Sequence, residues 1–199
     1  MRRSRKDTAA TRERIVKAAA AEFRRSGIDR TGLADLMAAA GLTHGGFYKH
    51  FSSKEQVVAE ACAAATDSLT HNLSAIAEQA NDRAALEEVV GGYLSRARRD
   101  SPADSCPLAM MGSELARQGT ETRDAASESF LKLTRLLEPL MPGAEPELQQ
   151  RNAMVAMCAM IGALTVARFI SDESLSDAIL SEMKQAILSG HMCAHDERK

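Results

Sequence analysis

An all-α fold of about nine helices is predicted by the composition and by the spacing of the apolar residues. The chain is 45% hydrophobic but only 4% aromatic, and it contains ten Met and no Trp. Alanine, leucine and methionine are plentiful, and they lose little side-chain freedom in a helix. Apolar residues also recur every three or four positions, as at Ile15, Ala19 and Phe23, which is typical of amphipathic helices.

The N-terminal segment predicts four helices joined by short turns, at about 8–25, 31–40, 44–50 and 54–79. Gly27 and Gly41 end the first two helices, because glycine adopts a positive φ at little cost. Thr43 is suited to cap the third helix with its hydroxyl. The sequence Ser52-Ser53-Lys54-Glu55 resembles a capping box at the start of the fourth.

Five further helices are predicted downstream, at about 83–99, 106–118, 121–141, 145–170 and 173–189. Pairs such as Ser101-Pro102 and Pro142-Gly143 mark the turns between them. The most apolar stretch, residues 153–170, contains Thr165 and Arg168 and is rich in alanine. We interpret it as a buried helix rather than as a membrane span.

Charge is divided unevenly along the chain. Residues 1–60 carry 12 Lys and Arg against 7 Asp and Glu, a net charge of +5, whereas residues 61–199 carry 13 against 20, a net charge of −7. A basic segment on an acidic body is expected where one end of a protein meets a polyanion. Uneven surface charge without a function is the alternative.

The sequence predicts neither an enzyme nor a cofactor or metal site. It contains no glycine-rich phosphate loop, no HExxH and no nucleophile elbow. The alternating His191, Cys193 and His195 have no second ligand cluster. The Arg-rich N-terminus is not followed by the apolar run of a secretory signal, and the four cysteines form no CxxC pair, so we expect reduced thiols in the cytoplasm.

Residues 33–50 have the layout of a helix-turn-helix: an amphipathic helix, a turn containing glycine, and a short second helix. The second helix offers Thr43, His44, Tyr48, Lys49 and His50, all able to donate hydrogen bonds or charge to phosphate. Gly45 and Gly46 would let its backbone approach a groove, and Phe47 and Phe51 would anchor it to a core. Lys54, at the next helix start, is suited to a phosphate contact. Any one of these residues alone would more often be a core or surface residue, but together they predict DNA binding.

This region resembles the N-terminal signature of the TetR family of bacterial one-component regulators. The resemblance runs through about residues 10–60 and is carried by Thr11-Arg12-Glu13-Arg14-Ile15, Leu33-Ala34-Asp35-Leu36, Ala40-Gly41-Leu42-Thr43, Phe47-Tyr48-Lys49-His50-Phe51 and Ser53-Lys54-Glu55. Gly32, Met37 and Gly46 depart from the residues common there, and Gly46 removes a possible base contact. The resemblance implies a homodimeric repressor that a small molecule releases from operator DNA.

The resemblance also implies a set of sites. Residues 1–54 would form the helix-turn-helix domain and residues 55–199 a ligand-binding and dimerisation domain. The DNA-binding set would be Thr31, Thr43, His44, Gly45, Gly46, Tyr48, Lys49, His50 and Lys54. The expected partners are double-stranded operator DNA of palindromic sequence and an unidentified inducer, with no membrane. A helical ligand-binding or sequestering protein without specific DNA binding is the alternative, and an activator is a third possibility.

Five residues are candidates for ligand binding or sensing: Cys106, Met110, Phe130, Met154 and Arg168. Methionines fill irregular space and suit an adaptable pocket, although such residues are more often core. Arg168 could pair with an acidic ligand or with a partner carboxylate. Cys106 precedes Pro107, and an N-cap thiol faces free amides that favour the thiolate, so it is either a responsive thiol or a small packing residue.

Dimerisation is expected through the helices near 145–170 and 173–189. Ala156, Ala159, Ala163 and Ala167 lie near coiled-coil spacing, and small side chains let two helices approach closely. The alternative is that these alanines belong to a buried helix inside one chain.

Overall fold

The computed structural model describes residues 5–79 and 82–190, and every regular element in these ranges is helical. The nine α-helices are α1 (Arg5–Ser26), α2 (Leu33–Ala39), α3 (Lys54–Glu78), α4 (Asp82–Tyr93), α5 (Arg96–Asp100), α6 (Pro107–Leu115), α7 (Thr120–Leu137), α8 (Pro146–Phe169) and α9 (Glu173–Leu188). Three 3₁₀ helices cover His44–Lys49, Pro102–Asp104 and Glu138–Leu140. The predicted all-α fold is confirmed.

Three of the predicted helices differ in the structure. The one expected over 121–141 ends as an α-helix at Leu137 and continues as the 3₁₀ helix Glu138–Leu140. The helix expected over 83–99 is two helices, because Ser95 caps α5 by accepting a hydrogen bond from the backbone N–H of Arg98 at 3.2 Å. The short helix that follows the Gly41 turn is a 3₁₀ helix rather than an α-helix. The tighter 3₁₀ geometry is frequent in short connectors between α-helices.

Contacts divide the chain into two compact units. The first contains the residues up to Ser68 together with Pro102–Ser129, and the second contains Leu69–Ser101 together with the residues from Phe130 onward. These packing units do not coincide with the boundary predicted at residues 54 and 55. That boundary separates two functions, DNA binding and ligand binding, and it stays a prediction.

The first unit is built around one apolar core. Ile15, Ala19 and Phe23 of α1 are fully buried, which confirms the stripe predicted for that helix. They share the core with the rest of the helix-turn-helix and also with Met111 and Leu115 of α6. The helix-turn-helix therefore depends on a helix that lies about sixty residues further along the chain.

The second unit packs α8 against α9 and α4 against α9. Ala156, Ala163 and Ala167 of α8 are buried inside this unit, so the expectation that these alanines form a dimer interface is wrong. Their small side chains bring α8 close to its neighbours in the same chain. Within the described ranges, α8 is also the one helix long and apolar enough to cross a membrane by length and composition. The core helix of a protein that spans no membrane also meets this criterion of length and composition.

Candidate nucleic-acid interface

The turn of the helix-turn-helix is set by Gly41. Its φ of +66° reverses the chain after α2. The backbone N–H of Leu42 then donates to the carbonyl of Met37 at 2.8 Å, and the N–H of Gly46 donates to the carbonyl of Thr43 at 3.0 Å. The second bond starts the 3₁₀ helix His44–Lys49, so the position of this helix relative to α2 is fixed by backbone contacts.

Aromatic residues anchor the 3₁₀ helix to the core. Phe47 is fully buried, and its ring lies edge-on to Tyr48 with 5.3 Å between centroids and stacks on Phe51 at 5.6 Å. The guanidinium of Arg12 lies 4.6 Å from the centroid of Phe51. Arg12 also donates to the carbonyl of His50 and pairs with Glu60 of α3. The helix is thereby held from α1 and α3 at once.

The outer face of this helix carries hydrogen-bond donors. Thr43, His44 and Lys49 are exposed, and the ring of Tyr48 is 68% exposed although it is large and partly apolar. Gly45 is also exposed, and no atom lies within 4 Å of the position that a Cβ would occupy there, which leaves the backbone accessible. All five residues belong to the set predicted from the sequence, and the structure brings them together on one exposed segment.

Three other predicted residues are placed differently. Thr31 is 2% exposed, and its hydroxyl donates to the carbonyl of Gly27 at 2.6 Å, so the structure contradicts a direct contact with DNA. His50 is half-buried beneath Arg12. The ammonium of Lys54 donates to the carbonyl of Ile28 at 2.6 Å, which uses one of its three N–H groups and leaves two for a phosphate.

Gly46 is half-buried, and an added Cβ there would lie 3.4 Å from the Cε atom of Met37. Two of the residues that depart from the family pattern are therefore neighbours. An added Cβ at position 46 would be in van der Waals contact with the Met37 side chain. The sequence alone could not show this pairing.

Comparison with known proteins identifies the type of the helix-turn-helix. Residues 15–61, which build this helix-turn-helix, match the sequence model of the bacterial regulatory proteins of the tetR family. This segment is therefore a helix-turn-helix of the TetR type. Over 84 residues it is 39% identical to the HTH-type transcriptional regulator TtgR of Pseudomonas putida, and this match spans 41% of the chain and 38% of the length of TtgR.

Solved structures show that the likeness of fold extends over nearly the whole chain. The TetR-family regulator of Cytophaga hutchinsonii has a TM-score of 0.78 at 22% identity and covers 96% of this chain and 98% of its own. The reduced form of NemR from E. coli has a TM-score of 0.75 at 19% identity and covers 89% of this chain and 95% of its own. At these identities the likeness shows the TetR fold.

The ligand-binding candidates do not converge on one pocket. Met110 packs half-buried against the core of the first unit, and Phe130 is half-buried in the second. Met154 is 45% exposed on α8, and it is not among the residues that line the pocket around Arg168. Arg168 lines a pocket of about 240 Å³ together with Arg99, two serines and the carboxylates of Asp100 and Glu173. It also donates to the carbonyls of Arg98 and Arg99, at the end of α5.

Cys106 is the N-cap of α6, with Pro107 in the first turn, as the sequence predicts. Its side chain is fully buried and its thiol makes no capping hydrogen bond. Reactive cysteines are partly exposed in an electropositive setting, whereas buried ones are inert. The structure therefore favours the packing role for Cys106 over the sensing role.

No group of three or more His, Cys, Asp or Glu residues that could hold a metal ion occurs among residues 5–79 and 82–190. The alternating His191, Cys193 and His195 lie outside the described residues.

Because the thiol of Cys62 is buried, we expect the stability of the folded protein to depend on pH. Burial raises the pKa of this thiol from 9.0 to about 11, while its contact with Ser129 lowers it. Since the folded pKa is raised, the stabilisation is complete below pH 9 and is lost as the pH rises through 11. We expect the parent to lose about 2 kcal/mol more of its free energy of unfolding between pH 8.5 and 11 than Cys62→Ala, measured by urea denaturation. Equal losses of unfolding free energy in the parent and in Cys62→Ala would contradict the raised pKa of this thiol.

Proposed function

We propose that this chain is a dimeric, DNA-binding transcription regulator of the TetR type, and that it acts as a cytoplasmic repressor which a small molecule releases from operator DNA. The observation that carries the proposal is the exposed donor set on the 3₁₀ helix His44–Lys49. Exposed Tyr48 and Lys49 beside a fully buried Phe47 are typical of a helix that is fixed on one side and binds on the other. The relatives named as transcriptional regulators support the same function.

Recognition then follows from the shape of DNA. The 3₁₀ helix enters the major groove, and the two helices of a dimer read half-sites one helical turn apart or a multiple of it. Tyr48, Lys49 and Lys54 contact phosphates, while Thr43 and His44 face the base edges. The absence of side chains at Gly45 and Gly46 lets the backbone come close to the groove.

A second copy of the chain is the proposed partner of an exposed face on α8. This face, which we call the α8 stripe, consists of Val155, Cys158, Gly162, Thr165 and Phe169, all exposed. Their spacing alternates between three and four residues, as in the seam between two packed helices. Phe169 is 68% exposed, and no atom lies within 4 Å of the Cβ position of Gly162. A large exposed apolar side chain beside small residues suits close packing with a symmetric copy.

The neighbouring helix α9 also carries exposed apolar and small residues. Leu175 at its start is 50% exposed, and small residues at Ala178 and Ser181 are exposed further along. Two adjacent helices from each chain would make a four-helix contact. The dimer helices are those predicted from the sequence, but the residues that face the partner are different ones.

The inducer is proposed to bind in the second unit. Arg168 is the predicted ligand residue that lines a pocket there, beside the carboxylates of Asp100 and Glu173. Its guanidinium would pair with a carboxylate or phosphate group of a ligand that also offers hydrogen-bond donors to these two carboxylates. A ligand that binds better to a helix arrangement with the wrong half-site spacing shifts the population away from the DNA-binding form.

The experiment for DNA binding uses a duplex obtained by in-vitro selection and a salt titration of its affinity. Replacing Lys49 with Ala should weaken binding about five- to tenfold and reduce the slope of log affinity against log salt by about 1, because one phosphate contact is lost. Lys132→Ala, at an exposed lysine on α7, is the matched control and should leave both quantities unchanged.

Failure of the selection would favour the alternative, a helical ligand-binding protein without specific DNA binding. A selected duplex whose affinity and salt slope are the same for Lys49→Ala and the parent would place the DNA contact elsewhere.

A further inference from the structure

The peptide groups on either side of Ile28, in the turn between α1 and α2, are held between two opposite charges. The N–H of Ile28 donates to the Oε2 atom of Glu114 at 2.5 Å, and its carbonyl accepts from the ammonium of Lys54 at 2.6 Å. Ile28 itself is 1% exposed, so the contacts lie where water competes little. Glu114 belongs to α6 and Lys54 begins α3. One residue's backbone therefore connects a distant helix to a residue proposed to contact DNA.

Glycine at position 27 leaves room in this turn for the carboxylate of Glu114. Gly27 has a φ of +88°, and a Cβ at this position would lie 2.8 Å from the Oε1 atom of Glu114. Any residue larger than glycine would collide with the carboxylate as well as strain the backbone. The carbonyl of the same glycine accepts the hydroxyl of Thr31, just before α2. The turn thus holds the start of α2, the start of α3 and the carboxylate from α6 in one arrangement.

The two hydrogen bonds to Ile28 support each other. Each is assisted by a full charge, and such bonds are about twice as strong as neutral ones. A carboxylate on the N–H fixes the position of the Ile28 backbone, and with it the position and direction of the carbonyl that accepts from the ammonium of Lys54. Loss of the carboxylate should therefore weaken the contact made by Lys54, although Glu114 does not touch DNA.

We infer that Glu114 is a positioning residue for DNA recognition, which acts on Lys54 through the backbone of Ile28. The inference rests on the proposed function, since it assumes that Lys54 binds a phosphate. No exposed residue of α6 has to contact DNA for this effect. The carboxylate fixes where the ammonium points, and α6 sets the geometry of the phosphate contact from within the core of the first unit.

A double-mutant cycle on DNA affinity tests the inference with the full chain and the selected duplex. Glu114→Ala should reduce affinity about tenfold in the parent but only about twofold in Lys54→Ala, because the residue through which it acts is already gone. Glu114→Gln, whose amide oxygen can still accept the Ile28 N–H, should lose less than Glu114→Ala. Glu121→Ala, at an exposed glutamate on α7, is the matched control and should change nothing.

Thermal unfolding of each variant separates positioning from folding. Equal losses of affinity in the two backgrounds would overturn the inference, since a merely structural role lowers affinity regardless of Lys54. If Glu114→Ala does not fold, Glu114→Gln supplies the same cycle, with a smaller loss expected in Lys54→Ala than in the parent. A parent chain that binds no duplex would refute the proposed function and this inference together, whereas a parent that binds with additive substitutions would refute the inference alone.

Discussion

Gly162→Glu is expected to convert the protein into monomers that bind the selected duplex at least about 100-fold more weakly. Gly162 lies in the middle of the α8 stripe, and a symmetric interface carries every substitution twice. Two carboxylates would then face each other in a contact that excludes water, where unpaired charge is costly. A monomer offers one recognition helix in place of two, so most of the affinity for a palindrome is lost.

The substitution should leave the fold of one chain intact. Gly162 is exposed, nothing lies within 4 Å of its Cβ position, and glutamate is a better helix former than glycine. Gly112 of α6 is the matched control because it is also a helical, exposed glycine with open space at Cβ. Sedimentation should show monomers for Gly162→Glu and dimers for Gly112→Glu. A Gly162→Glu dimer with parental DNA affinity would move the interface off the α8 stripe.

Gly45→Glu is expected to reduce DNA affinity about 100-fold without changing the dimer. Gly45 lies at the start of the 3₁₀ helix, where the backbone is proposed to approach the groove. A carboxylate there adds bulk at the closest approach and negative charge beside the phosphates, which repel it. The residue is exposed with nothing within 4 Å of its Cβ position, so the thermal unfolding temperature should stay close to that of the parent.

Gly45→Gln separates size from charge, since the two side chains have nearly the same volume. It should lose less affinity than Gly45→Glu, and the difference between the two variants should shrink as salt is added. Measuring the DNA affinity of both variants across a salt series separates the contribution of side-chain size from that of charge. Parental affinity in Gly45→Glu would mean that this end of the 3₁₀ helix does not face DNA.

Local features of the fold can be predicted from the sequence. The apolar stripe of α1 and the glycine turns at positions 27 and 41 depend on neighbours within a few residues, and both are confirmed. The break between α4 and α5 is not predicted, although Ser95 followed by a polar segment is a recognisable start for a helix. Such signals are weak when the flanking residues also suit a continuous helix.

Contacts between distant segments cannot be predicted in the same way. The family pattern places Thr31 at DNA, but its hydroxyl is used by the carbonyl of Gly27. Glu114 carries no signal in the sequence, since its partner Ile28 lies 86 residues earlier. The alanines of α8 and the exposed α8 stripe have similar spacing, and both sets contain small side chains, so periodicity alone does not tell which face turns inward.

The division of the chain into units also limits how its parts can be exchanged. The core of the helix-turn-helix includes Met111 and Leu115, so the piece that folds around it is assembled from two separate stretches of sequence. A chimera that joins residues 1–54 to the sensor of a relative would bring foreign side chains against the core that contains Phe23 and Leu36. Recombination among relatives would therefore preserve this core only when residues 102–129 come from the same parent as the N-terminal stretch. The two stretches have to be exchanged together, although they are separate in the sequence.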